Sequence, residues 1–373
     1  MQKRFFRTYL SSLARDSRLL LSNSLNYLIS IIVLPFLTKK SNISDRVLFV
    51  NTMNLGDLLI SLKFLIQFQE SNLFREHYLL FDSRYISFFK SLNIDHKLIP
   101  WSKKKYKYNL FYRIKFINKL RRYGFNTAYN ISQERGILND ELILLSNAAN
   151  TVCFKKRAKY LFPFYNFINI RKYSTIFNFE ELSEYKLLDL VSNKLELKLI
   201  NTIDDRFITN INNVTPSSDI CISPFSSNRR RDWPIANYLA LIQELSIKYN
   251  IVLVGNKLYI PINSFFNNSN VFNLIGKTIL SDLPGIIGNS RLFIGNDSGL
   301  THLANILEIP FVAIIGGGMY GRFFPHRSCA KKKFHFHQLD CFNCEWNCIY
   351  KEKYCLTKVP VAAILKDAYE ILN

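Results

Sequence analysis

Hydrophobic residues along this chain fall into short, nearly continuous runs, and longer segments with helical spacing lie between them. From Ser44 onward the apolar runs are rich in Val, Ile, Leu, Phe and Tyr, as in buried strands that are covered on both faces. Strands that alternate with helical segments are typical of parallel α/β units. The predicted strands are 47–51, 78–81 and 127–132 in the first half, and 220–223, 251–255, 271–275, 291–295 and 311–316 in the second.

A polar stretch at 201–218, rich in Asn, Asp and Thr, separates the two series of strands. Because 373 residues exceed one ordinary hydrophobic core, the chain is predicted to hold two Rossmann-like domains, at 45–205 and 206–373. Ligands of such sheets bind beyond the carboxyl ends of the strands, which favours two domains facing each other across a cleft.

Residues 1–44 form a separate segment that is basic at its start and apolar later. Its apolar part, 24–37, is shorter than the roughly 20 residues that a membrane-spanning helix needs, and no cleavage site follows it. One interpretation is an amphipathic helix in the membrane interface, with basic side chains on lipid phosphates: Arg4, Arg7, Arg15 and Arg18. The other is a helix that packs on the surface of the protein itself.

Composition limits the partners that the protein can have. Hydrophobic residues make up 48% and charged residues 21%, which excludes a disordered chain and a transmembrane bundle. The 49 Lys and Arg exceed the 28 Asp and Glu by 21, which indicates nucleic acid, an acidic membrane surface or a phosphorylated substrate as partner. Seven cysteines without an export signal favour a reducing compartment.

The first predicted strand runs into the sequence NLGDLLISL, in which Asp57 opens a helix after a turn at Gly56. The structural interpretation of Asp57 is an acid at a helix N-terminus, where the helix dipole favours it by ~0.3–1 kcal/mol. The functional interpretation is a catalytic carboxylate. The loop lacks the G-x-G-x-x-G pattern of dinucleotide-binding proteins.

A second loop, GNDSGLTHLA at 295–304, lies between a predicted strand and a predicted helix. The first turn of that helix directs the backbone N–H groups of Ser298, Gly299 and Leu300 toward one point, which suits a phosphate. Gly299 has no Cβ to obstruct the ligand, and His302 supplies a further donor. The alternative is a capped helix without a ligand.

Two stretches carry a resemblance to a known family. The segment at 273–318, which ends in GNDSGLTHLANILEIPFVAIIGGG, resembles the donor-site signature of glycosyltransferase family 9, the lipopolysaccharide core heptosyltransferases, and NLGDLLISL resembles the N-terminal loop of that family. The resemblance implies a GT-B fold and inverting, metal-independent transfer from a nucleotide-diphospho-sugar without a cofactor. The N-terminal domain would bind the acceptor, and the C-terminal domain would bind the donor.

The resemblance also implies roles for particular residues. Asp57 matches the proposed general base, and Arg231 in RRRDWP stands where the family usually has a lysine. A guanidinium keeps the charge of that lysine. The diphosphate and sugar site corresponds to Asp297, Ser298, Gly299, Leu300 and His302.

One departure leaves the donor open. After the strand at 251–255, where the family often has a glutamate, this chain reads NKLYIP, with Lys257 and Tyr259. ADP-heptose is the donor that the family suggests, and the acceptor would be a lipopolysaccharide core or lipid A-type molecule.

The sequence CFNCEWNCIYKEKYC contains four cysteines: Cys341, Cys344, Cys348 and Cys355. Four thiolates could hold a structural zinc ion, although the spacing lacks two separated pairs. Reduced, buried thiols are the favoured interpretation, and no catalytic metal is expected.

Nine Lys and Arg and no acid lie between Lys103 and Arg122, interleaved with aromatic residues. A solvated helical face and a nucleic-acid surface are two interpretations. The favoured one is contact with an anionic lipid acceptor through Lys103, Lys104, Lys105 and Arg113.

Together these features predict a cytoplasmic glycosyltransferase held peripherally on the inner face of the inner membrane, with an anionic membrane surface as partner and no nucleic acid. The alternatives are a nucleic-acid-binding α/β protein and an inactive family member that acts as a binding scaffold.

Overall fold

The structure is a computed structural model that describes residues 43–92, 96–132, 137–154, 173–177, 183–197, 218–256, 269–325 and 331–373. The chain divides into two compact units. The first comprises Met1–Phe89, Ile94–Glu181 and Leu187–Leu199, and the second comprises Lys90–Asn93, Leu182–Lys186 and Ile200–Asn373. Within the described residues, each unit is built on one parallel six-stranded sheet, which confirms the predicted α/β class.

The first sheet has the strand order β3-β2-β1-β4-β5-β6. Its strands are β1 Arg46–Val50, β2 Glu76–Asp82, β3 Lys97–Trp101, β4 Thr127–Asn130, β5 Asn150–Phe154 and β6 Thr175–Phe177. The helices that follow in the chain are α1 Leu55–Glu70, α2 Ile86–Ser91, α3 Lys103–Tyr108, α4 Leu110–Arg122, α5 Ile137–Leu145 and α6 Glu184–Lys194.

The central strand β1 organises the core of the first unit. Phe49 in β1 pairs with Leu79 of β2 and Tyr129 of β4, and its ring lies 4.9 Å from that of Phe68 in α1. Burial on both faces explains why β1 is a nearly continuous apolar run.

The second sheet has the order β12-β11-β10-β7-β8-β9. Its strands are β7 Ser218–Ser223, β8 Ile251–Leu253, β9 Val271–Asn273, β10 Ser290–Asn296, β11 Phe311–Ile314 and β12 Lys332–His335. Its helices are α7 Ile235–Leu245, α8 Leu283–Gly288, α9 Gly299–Ile306, α10 Tyr354–Thr357 and α11 Val361–Leu372.

All eight predicted strands are present, and four further strands were missed: β3, β5, β6 and β12. Three of these are edge strands, which are covered less completely than the central ones. Every residue of β12, for example, is only half-buried, so its sequence KKFH lacks a hydrophobic run. β5 lies inside the sheet but begins with two polar residues.

The strand order places the same kind of switch point in both sheets. In each, the chain order reverses beside the strand that starts the sheet, at β1 and β4 in the first and at β7 and β10 in the second. The loops that leave neighbouring parallel strands diverge at such a point and form a crevice at the carboxyl edge. The segments after β1, β7 and β10 are those that the sequence marked for chemistry.

Other predictions lie outside the described residues. These are the arginine-bearing part of 1–44, the boundary at 205 and 206, and Lys257 and Tyr259. In the part of the chain that is described, no helix has the length and apolar character needed to cross a bilayer.

Candidate active site

The candidate donor loop follows β10 at the crevice of the second sheet. Ser298 has extended backbone angles, φ −148° and ψ 169°, and α9 begins at the next residue, Gly299. The side chain of Ser298 does not cap the helix. The first N–H groups of α9 have no partner within the helix, because no turn precedes them.

Asn296 joins this loop to the loop after β7. Its side chain is fully buried, and Oδ1 accepts hydrogen bonds from the backbone N–H of Trp233 and from Tyr238 Oη, both at 3.0 Å. Its Nδ2 donates to the carbonyl of Pro224 at 2.8 Å. One amide therefore fixes the position of the 224–233 loop against β10.

That connection places Arg231 beside Asp297. Arg231 ends a 3-10 turn, Arg229–Arg231, and its Nη1 lies 4.0 Å from Asp297 Oδ2. Burial raises the pKa of Asp297 above its usual value, and the charge of Arg231 opposes that shift. Two of the residues that the resemblance assigned to donor binding, Arg231 and Asp297, are thus neighbours, although 66 positions separate them in the chain.

Three buried polar atoms in this loop pair have no hydrogen-bond partner among the described residues. They are Asp297 Oδ1, Ser298 Oγ and Arg231 Nε. Asp297 and Ser298 are only 5% and 7% exposed, so water gives their side chains little compensation. Unpaired buried polar groups each cost ~1–3 kcal/mol, which points to a ligand that pairs with them.

His302 lies in the first half of α9 and is buried. Its Nδ1 is 2.8 Å from Tyr185 Oη, and its ring stacks on Phe324 with centroids 4.5 Å apart. Asn305, on the same helix, donates to Tyr185 Oη at 3.4 Å. No local pattern points to Tyr185, because it lies 117 positions from His302 in the chain.

Asp57 lies at the carboxyl end of β1, at the N-terminus of α1. Its Oδ2 accepts a hydrogen bond from the backbone N–H of Asn54 at 3.1 Å, and the side chain is half-buried. Asn51 Nδ2 donates to the Asp57 carbonyl at 3.3 Å and braces the turn. The geometry therefore fulfils the structural interpretation of Asp57, while its position at the crevice of the first sheet keeps the catalytic one open.

The basic stretch is divided by the fold. Lys103, Lys104 and Lys105 are exposed at the start of α3, directly after β3. Arg113 is instead fully buried, and its guanidinium pairs with Glu141 through Nε, at 2.8 Å from Oε1, and through Nη2. Its Cζ lies 5.1 Å from the centroid of the Tyr106 ring. Helical periodicity turns this arginine toward the core, so the interpretation of Arg113 as a surface contact for the acceptor was wrong.

The four cysteines are close enough to influence one another. The pKa of Cys344 is lowered to about 6, chiefly by a hydrogen bond with Cys348, whose own pKa the same bond raises. Among the described residues, no group of three or more His, Cys, Asp or Glu has an arrangement that could hold a metal ion. All four are free cysteines, but only Cys355 is buried, as the favoured interpretation requires; the other three are half-buried.

The cysteine segment packs on the glycines after β11. The N–H of Asn343 donates to the Gly317 carbonyl at 2.6 Å, and that of Glu345 donates to the Gly318 carbonyl at 2.9 Å. A Cβ at Gly317 would collide with the Phe342 ring. These contacts hold the segment against the loop that follows β11.

Comparison with known proteins supports the resemblance. Residues 177–343 match the sequence model of glycosyltransferase family 9 (heptosyltransferase). Lipooligosaccharide heptosyltransferase 2 of Campylobacter jejuni is 26% identical over 159 residues, which are 40% of this chain and 48% of that protein. The chain thus spans about half the length of the curated relative that it matches.

Solved structures resemble the chain over most of its length. The family 9 glycosyltransferase of Veillonella parvula has a TM-score of 0.70 at 14% identity, with 90% of this chain and 99% of that one covered. E. coli heptosyltransferase WaaC with ADP-2-deoxy-2-fluoro heptose has a TM-score of 0.65 at 15% identity, with 87% and 99% covered. These matches confirm the GT-B fold that the sequence led us to expect.

Proposed function

We propose that this chain, whose residues 177–343 match the family 9 glycosyltransferase model, is an inverting glycosyltransferase that uses a nucleotide-diphospho-sugar. The observation that carries the proposal is the set of unpaired buried atoms on Asp297, Ser298 and Arg231, at the carboxyl edge of the second sheet. A capped helix without a ligand would leave no buried polar atom unpaired. A bound donor would pair with all three of these atoms.

The chemistry of these atoms suits the two halves of such a donor. Arg231 and the first N–H groups of α9 are cationic or donating groups, which stabilise the charge of a diphosphate. Asp297 Oδ1 and Ser298 Oγ accept hydrogen bonds, which suits hydroxyl groups of a sugar. The leaving nucleoside diphosphate gains negative charge in the transition state, and preorganised donors meet that charge without a metal ion.

The acceptor half of the reaction is assigned to the first unit. The Asp57 carboxylate would remove the proton from the acceptor hydroxyl as its oxygen bonds to the anomeric carbon, while the bond from that carbon to the diphosphate oxygen breaks. A single displacement of this kind inverts the anomeric configuration.

For the donor we propose ADP-heptose, and for the acceptor a lipopolysaccharide core or lipid A-type molecule. The support comes from relatives: the matched Campylobacter jejuni protein is a lipooligosaccharide heptosyltransferase, and the E. coli structure holds an ADP-heptose analogue.

We further propose that the protein works at the surface of an anionic membrane, on the cytoplasmic face of the inner membrane. The support is an aromatic-lysine surface, formed by Lys103, Lys104, Lys105, Tyr108 and Phe111. Tyr108 is 74% exposed and Phe111 84% exposed, which is unusual for large rings that have no lipid or protein to cover them. Lysines with aromatic rings suit the interface of an anionic bilayer, where rings enter the headgroup region and ammonium groups bind phosphates.

A transfer assay with ADP-heptose and a heptose-free lipopolysaccharide acceptor tests the reaction, with UDP-glucose and GDP-mannose as alternative donors. Heptosylated product, identified by mass spectrometry, is the expected result. Product from another nucleotide-sugar alone would overturn the donor assignment. Absence of product from every donor, together with absence of ADP binding, would overturn the function.

Asp57→Asn tests the base. Turnover should fall by ~10²-fold or more, because a general base contributes that order of magnitude. ADP affinity, measured by calorimetric titration, should stay unchanged. The control is Glu70→Gln, an exposed acid at the other end of the same helix, which should turn over like the parent. Parent-like turnover in Asp57→Asn would exclude Asp57 as the base.

A further inference from the structure

Tyr185 lies beside the candidate donor loop, and no motif in the sequence indicates a role for it. It comes from the second residue of α6, and its hydroxyl lies between two residues of α9, His302 and Asn305. We propose that Tyr185 is a positioning residue that fixes the tautomer of His302, so that Nε2 carries the ring proton and donates to the diphosphate of the donor. The identity of the ligand in this inference rests on the proposed function, whereas the tautomer of His302 does not.

The hydrogen bonds form a chain with one direction. Asn305 Nδ2 donates into the Tyr185 hydroxyl oxygen at 3.4 Å, and the hydroxyl is 2.8 Å from His302 Nδ1. When the hydroxyl donates to Nδ1, the two hydrogen bonds point in the same direction along the chain. Hydrogen bonds aligned in this way polarise and strengthen one another. The proton of a neutral imidazole whose Nδ1 accepts must then be on Nε2.

Tyr185 keeps its hydrogen at all relevant pH values. Burial raises its pKa, the charge of Asp297 raises it further, and only the Asn305 hydrogen bond lowers it. The hydroxyl is therefore a constant donor. A tyrosine serves this purpose better than a carboxylate, which would attract a second proton onto the imidazole and add a charge that competes with Asp297.

The chain around Tyr185 is part of the second unit and is held by Arg322 of the same unit. The preceding residue, Glu184, accepts a hydrogen bond from Arg322 Nε at 3.0 Å, and its backbone N–H donates to the Arg322 carbonyl at 2.9 Å. The Glu184 carboxylate is only 3% exposed, so this pair is shielded from solvent. Tyr185 thus reaches His302 from a fixed backbone.

The imidazole ring is fixed as well. It stacks on Phe324 with an interplanar angle of 13°, and the Phe323 ring lies edge-on with centroids 6.0 Å apart. Stacking sets the plane of the ring, and the Tyr185 bond sets its rotation within that plane. A preorganised N–H donor binds a phosphate oxygen without the loss of rotamer freedom that a mobile histidine would incur.

Long-range ¹⁵N–¹H NMR of the imidazole in the ligand-free protein tests the tautomer directly. The parent should show the Nε2–H form, and Tyr185→Phe, which deletes only the hydroxyl, should show a mixture of the two forms. The matched control is Tyr249→Phe, which removes the hydroxyl that bonds to Asn373 Oδ1 at 3.3 Å elsewhere in the same unit. An Nδ1–H form in the parent, or an unchanged spectrum in Tyr185→Phe, would overturn the proposal.

Titration of ADP into folded variants tests the consequence. Tyr185→Phe should weaken ADP binding by about five- to tenfold, Tyr249→Phe should not, and Tyr185→Phe should have no further effect in a His302→Ala background. Equal losses in both backgrounds would show that Tyr185 acts on folding rather than through His302. If the parent binds no ADP, the proposed function fails, while the NMR result still decides the tautomer.

Discussion

At the scale of single residues, two aspartates that look alike in the sequence have different surroundings. Asp57 and Asp297 both follow a strand and both lie at the start of a helix, yet Asp57 is half-buried and Asp297 is 5% exposed. Asp57 accepts a backbone hydrogen bond, whereas Asp297 Oδ1 has no partner within the described chain. The first arrangement is inexpensive in free energy, and the second is destabilising until a ligand binds.

Asp297→Asn should therefore separate stability from binding. Because burial raises the folded-state pKa of Asp297, its contribution to stability is present below the unfolded pKa and is lost as pH rises through the folded pKa. Asparagine does not titrate, so the ligand-free variant should gain ~1 kcal/mol over the parent at neutral pH, and less at pH 4.

Affinity for the nucleotide-sugar should fall about tenfold in the same variant, because a hydrogen bond to a charged group is lost. Asp219→Asn is the control, since Asp219 lies at the opposite end of β7, is a quarter exposed and pairs with Arg291. Urea unfolding and calorimetry measure the two effects. A variant with parent-like stability and affinity would mean that Asp297 faces no ligand.

Because of His96, we expect the stability of the first unit to fall in acid. It is buried, neither ring nitrogen has a partner among the described residues, and the His77 ring lies 5.5 Å away. Burial, and secondarily the charge of His77, lower its pKa to about 3. As pH falls below about 6.5, His96 therefore takes up a proton in the unfolded state before it does so in the folded state. The stability that is present above that pH declines as pH falls toward 3.

His96→Leu should remove this part of the decline. Between pH 7.5 and pH 5 the parent should lose about 2 kcal/mol more unfolding free energy than the variant, a value that follows from the pKa shift. Chemical denaturation at the two pH values provides the measurement, with His337→Gln, a half-buried histidine, as control. Equal declines in parent and His96→Leu would show that His96 has no part in acid sensitivity.

At the scale of elements, one buried amide connects the two loops of the candidate donor site. Asn296 ends β10, and its three hydrogen bonds hold Trp233, Tyr238 and Pro224. Local sequence does not reveal this role, because its partners lie at least 58 positions away. The distance between Arg231 and Asp297 is therefore a property of the connection between elements.

Asn296→Asp tests that connection. Aspartate has the same shape and keeps the acceptor oxygen, but it loses the donor to Pro224 and places a charge in a fully buried position. Unfolding free energy should fall by more than ~2 kcal/mol, the scale of an unpaired buried polar group. Tyr238→Phe, which deletes one of the three bonds, should cost only ~1 kcal/mol. If Asn296→Asp costs no more than Tyr238→Phe, the amide does not hold the loops together.

At the scale of the whole molecule, the excess of 21 positive charges favours anionic partners, and the partner proposed above is an anionic membrane surface. Long-range attraction brings a basic protein to an anionic surface and weakens as salt screens it. The aromatic-lysine surface adds an apolar contribution that salt does not screen. Binding to anionic phosphatidylglycerol vesicles should therefore decrease at high salt without vanishing, and binding to neutral phosphatidylcholine vesicles should be weak.

Two variants distinguish the sources of vesicle binding in a sedimentation assay. Tyr108→Ser with Phe111→Ser should abolish the salt-resistant fraction, because exposed rings are removed while charge is kept. Deletion of residues 1–37 should reduce binding without unfolding the protein. Unfolding on deletion would assign that segment to the core, and full binding by both variants would exclude them as membrane contacts.

The sequence by itself determined the fold class, eight of the twelve described strands and the place of the candidate donor loop between β10 and α9. Strands that are buried on both faces can be predicted because nearly every residue in them must be apolar. The segment 295–304 can be recognised because an anion site at the start of a helix needs a particular order of residues. The tertiary structure alone decided which distant residues meet: Arg231 with Asp297, Tyr185 with His302, and Arg113 with Glu141 in the core. Which distant residues meet depends on the order of the strands and on the rotation of each helix about its axis. Both are set by the packing of the whole chain, so no local sequence pattern predicts these contacts.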